Sequence, residues 1–176
     1  MMATASAQVY VGGAIGQARV NLSCEDYDLG CDKSDTGHKL YVGYKLNPVV
    51  AIEAAYVNFG KATRGYTDSG FDIIESFESG GPVVAAAFRY AAHPQLSLVG
   101  RLGVSFLSTK YKESVPNLPF SYSTTDESVK GYVGVGVEFA MTKNLRLTAD
   151  ADFTTAEVMD EKDSVRLLSV GLQYGF

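Results

Sequence analysis

Ser34, Asp35 and His38 stand close together and carry a hydroxyl, a carboxylate and an imidazole. Those are the types a nucleophile–base–orienter set needs for acyl transfer. No His-x-Ser-Asn-type motif accompanies them, and a polar loop-to-strand junction accounts for the same residues. His93 stands in Ala92-His93-Pro94, a turn, and needs no chemical role. Cys24 and Cys31 flank the acidic stretch Glu25-Asp26-Tyr27-Asp28-Leu29-Gly30. A zinc site would require four nitrogen or sulfur ligands at recognisable spacings. A short Cys24–Cys31 disulfide ring is the expectation, and it implies an oxidising compartment. Asp26, Asp28, Asp32 and Asp35 are oxygen donors of the kind that hold Ca²⁺ or Mg²⁺. They lack the Gly and terminal Glu placement of an EF-hand loop. No metal, cofactor or enzymatic activity is expected.

A second set of charges recurs inside apolar stretches. Lys39, Lys45, Arg89, Arg101, Lys130 and Arg146 share one face of alternating segments with Glu53, Glu138, Asp150 and Asp152. Buried charges must be paired or wet. The elements that carry them are strands. Leu40, Val42, Tyr44 and Leu46 alternate with Lys39, Tyr41, Gly43 and Lys45. Val50, Ile52, Ala54 and Tyr56 alternate with Ala51, Glu53 and Ala55, and Val133, Val135, Val137 and Phe139 with Tyr132, Gly134, Gly136 and Glu138. Such alternation recurs in eight segments of about 9–12 residues. The first, about 8–19, is Gly-rich and leaves its facing open.

The 176 residues carry a net charge of −5, which argues against nucleic acid as a partner. The longest apolar run, Val83 to Phe88, is far too short for a membrane-spanning helix. Ala5-Ser6-Ala7 followed by Gln8 looks like the tail of a secretory signal, with Met1 an added start. Residues 1–7 are therefore set aside as a leader remnant, and residues 8–176 form a single domain.

The connections alternate in length. Asn47-Pro48, Ala92-His93-Pro94 and Thr142-Lys143-Asn144 are tight turns, whereas 21–37, 60–79, 108–128 and 155–163 are long. Long outer loops with short periplasmic turns, and wholly apolar faces opposite mixed polar ones, describe an inside-out barrel in a membrane. The fold expected is all-β, an eight-stranded antiparallel up-and-down transmembrane β-barrel. A soluble lipocalin-like ligand-binding barrel is the alternative that would turn the apolar faces inward. The terminal Tyr174-Gly175-Phe176 resembles the C-terminal signature of bacterial outer-membrane barrels. Val49 to Lys61, with mid-strand Glu53 and the run Tyr56-Val57-Asn58-Phe59-Gly60, resembles the third strand of the OmpA-like small barrel family. The resemblance spans residues 8–176. It implies the barrel domain of that family without its peptidoglycan-binding domain, since no residues follow the last strand to supply one.

The long connections hold 16 acids against 6 bases, and the remainder holds 4 acids against 9 bases. The expected partners are outer-membrane lipid and lipopolysaccharide, with an extracellular partner met through the acidic loops. The chain is read as a monomer of the bacterial outer membrane with a structural, envelope-integrity and adhesion-like role. An eight-stranded barrel is just wide enough to be filled by side chains. Its interior is expected to be a salt-bridged polar core, with Gly43, Gly103, Gly134, Gly136 and Gly171 making room for the Arg and Lys chains. Glu53, Arg101 and Asp150 should share one depth, with Lys130 reaching them from above. Lys45, Arg89, Glu138 and Arg146 should form a second layer. Tyr44, Tyr90, Phe139, Tyr174 and Phe176 at one end, and Tyr56 and Phe106 at the other, read as interfacial girdles. A narrow small-solute pore and a lipid A-modifying enzyme built on Ser34, Asp35 and His38 are the functional alternatives.

Overall fold

The computed structural model of the chain describes residues 8–20, 31–32, 34–68, 71–114, 121–158 and 161–176. The leader remnant 1–7 and Cys24 lie outside them. Eight long strands form the ring: β1 (Val9–Val20), β2 (Ser34–Lys45), β3 (Val50–Asp68), β4 (Phe71–His93), β5 (Leu96–Ser114), β6 (Ser121–Ala140), β7 (Leu145–Val158) and β8 (Glu161–Gly175). Each pairs antiparallel with its sequence neighbours, and β1 pairs with β8, which closes the sheet. A two-residue segment, Cys31–Asp32, adds to β3 opposite Arg64 and Thr63.

Closure follows from the chemistry of the turns. The Asn47 side-chain carbonyl accepts the backbone N–H groups of Val49 and Val50, both at 2.8 Å. Thr142 Oγ1 accepts the Asn144 and Leu145 amides. These side chains stand in for backbone partners, which is why Asn and Thr occupy tight turns. At the short-turn end the β1–β8 seam is extended by Phe176 N donating to Val9 O, and the β1–β2 pairing by Lys45 N donating to Gln8 O.

The barrel is inside-out. Leu40 is 62% exposed and Val170 60%, whereas Lys39 and Asp152 are 1% and 0% exposed. In a lipocalin-like barrel those values would be reversed. The Gly-rich first strand takes the same parity, with Tyr10, Ala14, Ala18 and Val20 inward and Val11 and Ile15 outward.

Two expectations need correction. The strands reach 23 residues in β4, and the connections 60–79 and 108–128 are largely strand. Lys61 to Asp68 pairs with Phe71 to Glu78, so the ladder runs well past a membrane's thickness. Polar residues such as Glu78, Lys110 and Lys112 hide the pattern there, because the outward face of an emergent hairpin meets water rather than lipid. The glycines also differ in role. Gly43 abuts the Tyr10 ring, Gly12 the Tyr41 ring, and Gly136 the Asp150 carboxylate. Gly103 and Gly171 abut neighbouring backbone, and only Gly134 lies against an arginine, at the Arg101 Cβ.

Candidate functional site: the closed lumen

Alternation sends every second side chain of each strand inward, so the lumen is assembled from all eight strands. Arg101 on β5 donates from Nε to Glu53 on β3 at 2.6 Å and from Nη1 to Asp150 on β7 at 2.7 Å. Lys39 on β2 reaches Asp152 at 2.7 Å and Asp150 at 3.3 Å. Arg89 on β4 bridges Glu53 and Glu138, each at 3.0 Å, and Arg146 on β7 pairs with Glu138 at 3.2 Å. The two layers expected from strand depth are therefore joined, with Arg89 spanning them. Glu138 and Asp152 are completely buried, and each faces a cation. Paired in this way, the carboxylates avoid the several kcal/mol that an uncompensated buried charge costs.

Two members of the set lie toward the two ends of this network. Lys45 has no carboxylate within ion-pair distance among the described residues. Its ammonium lies 5.8 Å from the Tyr10 ring centre. With Arg89, Arg146, His93 and Ser97 it lines a cleft of about 530 Å³ at the short-turn mouth. Lys130 is half-buried opposite Ser105, four residues beyond Arg101 along β5, and its carbonyl accepts the Ser105 hydroxyl.

Tyrosines complete the polar layer. The Tyr10 hydroxyl donates to Glu53 at 2.6 Å, Tyr132 donates to Asp152, and Tyr41 donates to Gln173. The Arg89 guanidinium stacks 4.5 Å from the Tyr10 ring centre. Alternation puts Tyr41 and Tyr132 on the charged face. Their function as phenol donors, Tyr132 to a carboxylate and Tyr41 to an amide oxygen, was not legible, because each bond depends on the register between strands.

The outer half of the lumen adds to the expected salt-bridged polar core an apolar cluster, beside buried Ser79, Ser105, Thr109 and Thr154. Val57, Phe59, Val83, Leu107, Val165 and Leu167 are essentially buried and pack with Phe77, Tyr111 and Tyr132. The signal was present in the inward parity of Val57, Phe59 and Leu107, above the charged positions of the same strands. At about 25 cal/mol per Å² this cluster contributes to stability, and it also keeps water from the charges beneath.

The remaining candidates separate. Asp35 pairs with Ala18, a lumen-facing position, whereas His38 pairs with outward-facing Ile15. Asp35 accepts backbone amides from Thr36 and Lys61, at 2.7 and 2.8 Å. Ser34 and His38 share a face but stand about 13 Å apart along the strand. The three do not assemble into a catalytic set. Gly60 sits at the bulge beside Asp35 with φ +71°, a conformation that favours glycine. The aromatic girdle residues all point outward, and Tyr174 and Phe176 contact edge-on at 5.1 Å.

The comparisons with known proteins agree with this architecture. The description of the OmpA-like transmembrane domain matches residues 4–176. Outer membrane protein A of Serratia marcescens is 26% identical over 149 residues, covering 82% of this chain and 40% of that protein. Outer membrane protein A of Yersinia pseudotuberculosis is 26% identical over 174 residues, covering 95% of this chain and 48% of that protein. The chain thus spans less than half the length of these curated relatives. Among solved structures, Neisserial surface protein A superposes with a TM-score of 0.65 at 16% identity, covering 96% of this chain and 97% of the other. Ail, the attachment invasion locus protein of Yersinia pestis, solved with the heparin analogue sucrose octasulfate, gives 0.58 at 23% identity, covering 95% and 99%. An eight-stranded inside-out ring, aromatic girdles and a family match over nearly its whole length establish that this chain belongs to the OmpA-like transmembrane domain family, the barrels of the bacterial outer membrane.

Proposed function

We propose that this barrel is a sealed, monomeric structural element of the outer membrane, with its long hairpins outside serving surface contact. The observation that carries the reading is the lumen itself. The salt-bridged layer of Glu53, Arg101, Asp150 and Lys39 lies beneath the apolar cluster of Phe59, Leu107 and Leu167. A permeating ion would have to break those pairs and then cross a dry apolar layer. The experiment is planar-bilayer recording of the purified chain. Expected is a baseline with no steady channel; large, steady single-channel openings would promote the small-solute pore instead.

The surface role is supported by charge. The outer segments are strongly acidic, and the likeness to Ail supports contact through this end of the barrel. The sulfated ligand of Ail, however, does not suit an acidic surface. A cationic partner, or divalent cations bridging lipopolysaccharide, suits it better. The Cys24–Cys31 cross-link of the first outer segment belongs to the same proposal, and thiol labelling before and after reduction tests it.

A further inference from the structure

The outward face is apolar for most of the barrel's height, and it changes where β1 meets β8. Moving toward the long-hairpin end, β1 presents Val11, Ile15, Gln17 and then Arg19. On β8, Leu168 is followed by Arg166 in the same direction. The register sets Arg19 directly opposite Arg166. Both are exposed, and both point outward, because Ala18, Val20, Val165 and Leu167 beside them are buried in the lumen. Their other cross-strand neighbours are Ser34 and Phe153, neither of which is acidic. Among the described residues, neither arginine has an ion pair with a carboxylate.

Like charges directly opposite on a strand pair are destabilising. The side chains leave adjacent backbones about 5 Å apart, so both guanidinium groups can reach one small anion. Each carries the planar fork of donors that fits phosphate oxygens bidentately. The pair sits immediately beyond exposed Leu168, with exposed Phe153 paired across from Arg166, at the margin of the apolar band. At that depth of a membrane the anions are lipid headgroup phosphates. We propose that Arg19 and Arg166 form a clamp for the phosphate of a lipid headgroup at the outer membrane surface. The side of the membrane rests on the barrel orientation proposed above; the clamp itself does not.

The test uses the refolded chain in phosphate-free maltoside micelles titrated with lipid A, so that neither orientation nor a competing headgroup phosphate can decide the result. The readout is the side-chain Nε–H resonances of the two arginines. Lipid A should shift both, and fully dephosphorylated lipid A should shift neither. The doubly substituted R19Q/R166Q chain, followed through backbone amides of β1 and β8, should need about tenfold more lipid A for half-saturation. In the maltoside alone, where no headgroup phosphate is present, Arg19→Gln should fold as well as the wild type or better, because the repulsion is relieved. Equal shifts from the dephosphorylated lipid, or equal affinity in the double variant, would overturn the clamp. Saturation by inorganic phosphate at the same concentration would overturn its assignment to lipid. Steady channel conductance would sink the sealed-barrel reading and leave these outcomes unchanged.

Discussion

Glu53 holds three partners at once: the Tyr10 hydroxyl, Arg89 Nη2 and Arg101 Nε. Removing its carboxylate leaves two guanidinium groups under-compensated in a nearly dry interior. Breaking a buried pair by deleting one partner costs about 3–5 kcal/mol. Glu53→Ala should therefore lower the urea midpoint of the barrel in lipid vesicles strongly. Glu127→Ala, an exposed position opposite Ser108, should change stability by about 0.5 kcal/mol or less. Comparable losses from the two would mean that the lumen charges are separately hydrated. Glu53, Arg89 and Arg101 were legible as inward-facing because period-2 alternation fixes parity residue by residue. The contribution of Tyr10 was not, since Gly12 and Gly13 beside it blank out the alternation.

At the scale of the strand, the outward row of β6 runs Val133, Val135, Val137, each between inward-facing neighbours. Val135→Arg puts a charge on the lipid face near the middle of the membrane. It should cost about 2–4 kcal/mol, falling toward zero for substitutions near either girdle. A depth-independent cost in a urea series would contradict the membrane placement. The emergent ladders give a second test. Lys61, Arg64, Lys110 and Lys112 all lie in paired strand, opposite Glu78, Glu75, Thr125 and Ser123. Proteases need locally opened backbone, and paired ladders open rarely. On intact cells trypsin should leave these paired segments uncut. Trypsin cleavage at Lys143 in the Thr142–Asn144 turn would reverse the topology. The sequence placed the turns correctly, because Asn47, Pro48 and Thr142 carry their own turn chemistry. It misjudged the outer strand ends, because the outward row of the ladder turns polar once it has left the membrane, as at Glu78, Lys110 and Lys112.

At the scale of the molecule, closure converts local patterns into a sealed body. The pairing of β1 with β8 leaves no open sheet edge in the barrel wall, a condition that lipid imposes on every spanning sheet. The same closure sets Arg19 against Arg166, residues 147 positions apart whose adjacency no local pattern announces. The sequence alone determined the inside-out character and the strand number. Each of these depends on parity and turn chemistry, which act over two to four residues. Which cation meets which carboxylate, the bridging of two layers by Arg89, and the lack of an ion pair for Lys45 among the described residues depended on register across eight strands. The apolar layer of Phe59, Leu107 and Leu167 was likewise decided only in the tertiary structure. Strands from all around the ring must bring those residues to one depth before they can exclude water.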